Sequence, residues 1–184
     1  MAGSLVLVDE YSISSGASSF IIGGGSAGSS TYNYSMDSTY DVYMLQFQDV
    51  YMGTDGSKAR IRFTKTSDNS ADSSSNYDRA SVQMYTNQAF YDSSSTNQSY
   101  IDSLALGTTN PESYLGTIYC FNFPNASEYS FITRELINIT NTPETAGIMG
   151  GAVLTVAQAT NGIQFFADSG NIDSGEFKLY GLKK

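Results

Sequence analysis

Residues 162–182 read GIQFFADSGNIDSGEFKLYGL, and this stretch indicates the fold class of the chain. It contains two β-like runs, 163–167 and 176–182, separated by a polar turn rich in residue types that tolerate positive φ. In the second run Phe177 and Leu179 share one face, which is the period-two alternation of a half-buried strand. Burial of these side chains would contribute roughly 1.5–3 kcal/mol each. We therefore expect the C-terminal strand to complete a β-sheet.

The composition points to the same fold class. The chain has 184 residues, of which 40% are hydrophobic and only 15% are charged. Serine, threonine, asparagine, glycine and tyrosine take the place of the charged residues, and these types suit strand surfaces and turns better than helices. The length fits one domain, so we expect a single β-sandwich domain over residues 1–184.

Alternating apolar residues predict further strands and two strand pairs. Residues 39–50 and 59–64 both alternate and flank the turn-forming residues 53–56, which predicts a β-hairpin. Residues 114–123 and 129–140 form a second predicted pair. Shorter apolar runs at 4–8, 20–22 and 153–156 predict single strands.

The remaining segments are less regular. We expect irregular loops near residues 23–39 and 67–76, and connections at residues 92–99 and 141–151. Residues 77–106 include stretches that fit neither the strand nor the helix spacing, so strand, helix and loop all remain open there. About nine strands with frequent turn signals predict an all-β fold, an antiparallel β-sandwich of jelly-roll-like type.

The charge balance limits the partners. The formal net charge is −9, from 18 acidic and 9 basic residues, which disfavours binding to nucleic acid or to an anionic membrane surface. The one basic cluster, Lys58, Arg60, Arg62 and Lys65, is interpreted as a strand with an exposed face. Residues 1–4 lack the features of a signal peptide, and no apolar run approaches the ~20 residues of a membrane helix, so we expect neither export by a leader nor membrane insertion.

The sequence offers little for nucleophilic catalysis. It contains no histidine, which excludes Ser-His-Asp and Cys-His arrangements and the commonest zinc and iron ligand sets. Cys120 is the only cysteine, so no internal disulfide forms, and its apolar neighbours predict a small buried hydrophobe.

Two groups of acidic residues are candidate sites. Asp49 and Asp168 fall at strand ends, where a glycosidase pair of carboxylates is conceivable, but an ordinary turn role is favoured and no tryptophan is present for sugar stacking. Asp168, Asn171 and Asp173 are oxygen donors within six residues, yet a plain turn is favoured over a calcium site. We assign no catalytic, cofactor-binding or metal residue.

Asparagine sequons and tyrosines are both frequent. Sequons begin at Asn33, Asn97, Asn125 and Asn138, as chance predicts in a chain this rich in serine, threonine and asparagine. The 14 tyrosines fit either ordinary strand composition or a surface for oligomer contacts or glycan recognition.

Several motifs resemble small β-rich virion structural proteins of tailed bacteriophages, many of them from phages of marine bacteria and cyanobacteria. Residues 170–182 resemble the "G-x-x-x-LYG-I/L" close of these sequences, and residues 39–45 resemble their "Y-D-x-Y-x-L" central strand. Tyr77-Asp78 after a serine-rich loop, and residues 159–163 before the last two runs, keep the same order.

The resemblance implies a non-enzymatic structural protein of a phage particle, of the capsid-decorating, head-fibre or tail-fibre type. It implies a homo-oligomer, typically a trimer, with capsid or tail proteins as partners, made in the host cytoplasm and located in the virion. It assigns no role to any single residue. Two alternatives remain open: a receptor- or carbohydrate-binding module for host surface glycans, and a glycan-cleaving enzyme with paired carboxylates.

Overall fold

The computed structural model describes residues 4–25, 31–108, 112–142 and 144–182. Every regular element that it defines is a β-strand. The strands are β1 (Leu5–Ile13), β2 (Ser19–Gly23), β3 (Val42–Met52), β4 (Lys58–Lys65), β5 (Tyr77–Tyr85), β6 (Gln88–Gln98), β7 (Ile101–Ala105), β8 (Tyr114–Phe121), β9 (Ser130–Ile139), β10 (Thr145–Leu154), β11 (Thr160–Ala167) and β12 (Ile172–Leu182).

These strands form two antiparallel sheets. One sheet has eight strands in the order β1-β12-β3-β8-β9-β10-β5-β6, and the other has four in the order β2-β11-β4-β7. One hydrophobic core contains residues of both sheets, so the fold is the predicted all-β antiparallel sandwich. The jelly-roll-like connectivity stays a prediction.

Four phenylalanines form the centre of the core. Phe20 of β2 and Phe165 of β11 stack with ring centroids 5.4 Å apart in the smaller sheet. Phe177 of β12 lies 4.5 Å from Phe20, and Phe47 of β3 lies 5.7 Å from Phe165. Ring pairs of this kind stabilise a core by about 0.5–1.5 kcal/mol beyond the area that they bury. Phe177 therefore occupies the core position that its alternation predicted.

The C-terminal strand lies inside its sheet. β12 pairs with β1 on one side and with β3 on the other, with Phe177 opposite Tyr11 and Phe47. The expectation that this strand completes a sheet is confirmed. The preceding run belongs to β11 in the other sheet, so the turn between β11 and β12 crosses the sandwich.

The predicted hairpin of residues 39–50 and 59–64 is wrong. β3 pairs with β12 and β8, whereas β4 pairs with β11 and β7 in the opposite sheet. Alternation identifies an apolar face on each strand. Two strands with such faces can be neighbours in one sheet, or they can pack against each other from opposite sheets of a sandwich. The two crossing connections also contact each other, since the Gly53 amide donates to the Asn171 carbonyl over 2.9 Å.

The described residues form twelve strands, whereas the sequence predicts about nine. Residues 77–106, left open by the sequence, contain β5, β6 and β7. Residues 92–99 were predicted as a loop, but β6 continues to Gln98. β6 is one of the two edge strands of the larger sheet and is largely exposed, so its serines and threonines give no apolar alternation.

The predicted connection at residues 141–151 is also wrong, because β10 begins at Thr145. β10 is a central strand between β9 and β5 and includes three glycines. A Cβ placed on Gly150 would lie 2.3 Å from the Ala80 carbonyl oxygen, so the close approach of β5 requires glycine there.

Other segments agree with the sequence. β8 and β9 pair in antiparallel register from Tyr114–Asn138 to Phe121–Phe131, as predicted. Residues 67–76 contain no named strand, and the described residues 24–25 and 31–39 are irregular, although Gly23 still belongs to β2.

Candidate functional site

The two faces of β9 differ in an unusual way. Ser130, Arg134 and Asn138 point into the sandwich and are buried. Phe131 and Ile137 point outward, and 41% and 45% of their surfaces are exposed. An exposed apolar face beside a partly polar interior is typical of a surface that another molecule covers.

This pattern extends over the neighbouring strands and defines what we call the outer face. It consists of the side chains of β5, β6, β8, β9 and β10 that point away from the four-stranded sheet. The backbone register places Met149 beside Glu135 on β9 and Val82 on β5, and it places Ile137 beside Leu115 on β8. Its exposed large apolar residues are Val82, Phe90, Leu115, Tyr119, Phe131, Ile137 and Met149.

A groove of about 560 Å³ crosses the outer face. Its floor is a row of small residues in register on four adjacent strands, Thr133, Gly151, Ala80 and Ser94. Phe131 forms part of its wall. A second hollow, of about 280 Å³, lies on the same face around Gly147 and is lined by Met84, Phe90 and Ile137.

The outer face has few charges, and those it has are negative. Asp78, Asp92 and Glu135 are outward in register, and no outward position of these five strands is a lysine or arginine. A polyanionic partner is therefore disfavoured here. The chemistry that remains is contact with apolar, uncharged polar or cationic groups.

Asp168, one of the two candidate carboxylates, is held by groups of β4 and its approach. Its Oδ1 accepts hydrogen bonds from Ser57 Oγ over 2.7 Å and from the Lys58 amide over 2.9 Å, and Oδ2 lies 3.5 Å from Arg60 Nη2. Burial raises the pKa of the Asp168 carboxyl, but these donors and the Arg60 charge outweigh it and lower the pKa overall. The ionised carboxylate of Asp168 therefore links the C-terminal end of β11 to β4 and to the residue before it.

Asp168 directly follows β11 of the smaller sheet, and Asp49 is not among the hydrogen-bond or ion-pair partners given above for Asp168. Asp49 lies in β3 of the larger sheet with φ of 53°, at an irregularity in the pairing with β8, and it is exposed. Within the described ranges no group of three or more histidine, cysteine, aspartate or glutamate side chains is placed to hold a metal. The calcium alternative at Asp168, Asn171 and Asp173, which relies on an amide and on backbone carbonyls, stays a hypothesis.

Two other candidates are buried. Cys120 lies in the core as predicted, and desolvation raises the pKa of its thiol, which disfavours the thiolate. Asn138, the third residue of an inward row, is 3% exposed and donates to the Ala105 carbonyl, so its sequon is inaccessible. Asn33, Asn97 and Asn125 are exposed.

The side chains of the basic cluster on β4 each contact a different neighbouring residue. The Arg60 guanidinium lies 4.0 Å from the centroid of the Tyr100 ring, and Arg62 lies 4.4 Å from that of Phe166. Lys65 pairs with Asp68 over 3.0 Å. Cation–π and ion-pair contacts of this kind explain the cluster without an anionic partner.

The tyrosines divide between the core and separate surface positions. Tyr43, Tyr77 and Tyr114 are buried. The Tyr77 hydroxyl accepts from the Phe63 amide and donates to the Asp72 carbonyl, which is a structural role. The more exposed tyrosines lie on different elements and are Tyr32, Tyr91, Tyr119 and Tyr129.

No protein-family model, curated protein or solved structure matches this chain. Across the described residues, no helix has the length and apolar character needed to cross a membrane. The outer face was not predicted from the sequence, because alternation in residues 130–139 separates two faces without indicating which one is covered. The sequence feature that could have indicated the outer face is the presence of large apolar residues on both faces of this strand.

Proposed function

We propose that this chain is a non-enzymatic structural protein of a phage particle, which self-associates as a trimer and attaches to capsid or tail proteins. The observation that supports binding is the outer face, with its contiguous exposed apolar residues and lack of outward cations. The phage assignment and the location in the virion rest on the resemblance of residues 39–45 and 170–182. The absence of histidine and the structural partners of Asp168 agree with a role that involves no catalysis.

The composition of the outer face favours a protein partner over a glycan. Four of its seven exposed large apolar residues, Val82, Leu115, Ile137 and Met149, are aliphatic, and only the other three, Phe90, Tyr119 and Phe131, have the aromatic rings on which glycan recognition relies. Self-association would cover these side chains, and burial of exposed apolar area is the main driving force of protein association. It would also remove an exposed patch that otherwise promotes aggregation.

Self-association is tested by size-exclusion chromatography with light scattering on the wild type and on Ile137→Glu/Met149→Glu. We expect a wild-type trimer at micromolar concentration and a folded monomer for the variant, with each substitution weakening association by at least about 30-fold. Leu5→Glu is the matched control, because Leu5 is an exposed leucine on β1 at the opposite edge of the same sheet.

A monomeric wild type at micromolar concentration would contradict self-association. Mass spectrometry of purified phage particles tests the virion assignment separately, and absence of the protein from particles would overturn it. The two measurements are independent, so a monomer found in particles would preserve the virion assignment alone.

The groove supports a second candidate, a module that binds host surface glycans. Its floor includes the hydroxyls of Ser94 and Thr133, and the Phe131 ring stands in its wall. A glycan array with the wild type and Ala80→Trp, which fills the groove, tests this function. Binding that is lost in Ala80→Trp would establish it, and a blank array would remove it.

A further inference from the structure

β6 is the longest of the four edge strands, and one side of it lacks a strand partner. It spans the 11 residues Gln88–Gln98 and pairs only with β5 among the strands that the structure describes. Proteins normally protect long edges with lysine, proline, bulges or a covering segment. β6 contains no lysine, arginine or proline, and Asp92 is its only charged residue. Its pairing with β5 is regular from Tyr91 to Ser95, so no bulge interrupts this part.

The other three edge strands are shorter, and two of them are already engaged. β2 and β7 have 5 residues each. The side chains of Arg134 and Asn138 donate to two carbonyls of β7. β1 has 9 residues and an irregular register with β12, and its Glu10 carbonyl accepts from the Thr31 amide. Among the described edges, β6 therefore offers the longest row of free backbone groups.

The carbonyl of Ser93 indicates which backbone groups of β6 face its free edge. Ser81 Oγ of β5 donates to the Ser93 carbonyl oxygen over 3.4 Å, so this carbonyl points toward β5. In an antiparallel ladder the N–H and C=O of one residue point to the same side, and successive residues alternate. The N–H and C=O groups of Asp92 and Ser94 therefore point away from β5, toward the free edge.

Two consecutive aromatic residues of β6 are exposed on opposite faces of the sheet. Phe90 lies on the outer face and is 71% exposed. Tyr91 lies on the inner face, where its ring stacks on Tyr85 with the centroids 5.6 Å apart, and it is 42% exposed. A partner that lies flat on the outer face reaches Phe90 but not Tyr91. A strand paired with β6 places side chains beside both, because facing residues of adjacent strands lie about 5 Å apart.

We propose that the free edge of β6 binds an extended segment of another protein, which joins the larger sheet as an additional antiparallel strand. The backbone of this segment would pair with Asp92 and Ser94. Its side chains would include apolar groups beside Phe90 and Tyr91 and a lysine or arginine beside Asp92, since opposite charges at facing positions stabilise a strand pair. This binding mode is additional to self-association through the outer face, and it depends neither on the trimer nor on the virion assignment.

The first test measures binding of the fluorescein-labelled peptide TTTTRYVT to the wild-type protein by fluorescence polarisation. In antiparallel pairing the arginine of this peptide faces Asp92, its tyrosine faces Tyr91 and its valine faces Phe90. We expect saturable binding. Absence of saturable binding would overturn the proposal.

The second test determines whether the peptide binds through its backbone. Residues 3 and 5 of the peptide face Ser94 and Asp92, so their N–H groups donate to β6, whereas those of residues 4 and 6 point away. N-methylation at residues 3 and 5 should weaken binding at least about tenfold, because two hydrogen bonds are lost. N-methylation at residues 4 and 6 should leave binding unchanged. Equal effects of the two modifications would show that no paired strand forms, and would overturn the proposal.

The third test compares two substitutions of Ser94. Ser94→Pro removes an N–H at the free edge and no hydrogen bond to β5, and edge strands tolerate proline at such a position. Ser94→Ala is the matched control, because it removes the hydroxyl and keeps the N–H. Peptide binding should fall about tenfold in Ser94→Pro and stay at the wild-type level in Ser94→Ala. Equal affinities of the two variants would overturn the proposal. If Ser94→Pro does not fold, the N-methylated peptides decide the outcome.

Light scattering on the same variants distinguishes this proposal from self-association. A wild-type dimer that dissociates in Ser94→Pro but not in Ile137→Glu/Met149→Glu would identify a second copy as the occupant of the β6 edge, and would overturn the proposal. A monomeric wild type that binds the peptide would contradict self-association and support the proposal.

Discussion

β12 and β9 are strands of one sheet, yet their inner faces differ: that of β12 is apolar, and that of β9 mixes apolar with polar residues. β12 turns Phe177 and Leu179 inward and leaves Glu176 exposed. β9 turns Arg134 and Asn138 inward together with the apolar Ile132 and Leu136, and it leaves Phe131 and Ile137 among its exposed residues. The comparison shows that the inner face of a sandwich strand is determined by what lies opposite, and an apolar inner face is only one result.

The elements opposite the two strands account for the difference. Phe177 meets the rings of Phe20 and Phe165, both large apolar groups. β9 instead reaches β7, which is the edge strand of the smaller sheet and pairs with β4 on one side only. Arg134 and Asn138 donate to the carbonyls of Asp102 and Ala105. Polar side chains on β9 therefore pair with partly buried backbone carbonyls of this edge strand.

We expect the largest loss of stability at Phe177, on the inner face of β12. Phe177→Ala should reduce the free energy of unfolding by about 3–5 kcal/mol, because it removes a ring at the centre of the aromatic cluster and leaves a cavity. Denaturant titration of the purified variant measures this loss. Glu176→Ala, at the exposed neighbouring position, should change it by less than about 0.5 kcal/mol.

A loss below about 1 kcal/mol at Phe177 would mean that the core around β12 repacks freely. In that case the contrast with β9 would describe residue types only and would have no consequence for stability.

The second prediction concerns β10, which lies beside β9. Gly150→Ala should cost about 1–3 kcal/mol, because the new Cβ would lie 2.3 Å from the Ala80 carbonyl oxygen and 2.6 Å from Ser81 Cα. Gly151→Ala is the matched control, since its Cβ would meet only the Ile132 carbonyl oxygen at 3.0 Å. We expect it to cost less than about 1 kcal/mol. Thermal and denaturant unfolding of the pair measure the difference.

Equal costs at the two glycines would contradict the close packing of β10 against β5. A larger cost at Gly151 would place the tight contact on the β9 side instead.

The sequence predicted the fold class and the strands with regular alternation, such as β12 and the pair β8–β9. It did not predict which strands share a sheet, because the apolar faces of β3 and β4 fit a hairpin and a sandwich equally well. It missed most of β10, whose glycines are also loop formers, and β6, whose serines give no periodicity. The outer face was not predicted because β9 buries a charged residue, Arg134, and exposes an apolar one, Phe131, which is the reverse of the usual pattern.

The smallest expected effect is at Asp168, where the connection that leads into β12 is fastened to β4. Asp168→Asn should destabilise the protein by about 1 kcal/mol near neutral pH, because it weakens hydrogen bonds from Ser57 and Lys58 to a charged, partly exposed group. The folded-state pKa of Asp168 is lowered, so its stabilising effect is present above the unfolded value of about 3.9 and is lost as the pH falls through the folded value. The difference in the free energy of unfolding between wild type and variant should therefore be greatest at pH 6–7 and shrink below about pH 4.

Asp68 and Asp72 also have lowered pKa values, but they affect both proteins alike and cancel in this difference. Urea titrations of both proteins across this pH range measure the difference, and a gap that stays constant down to pH 2 would show that the Asp168 charge does not fasten this connection.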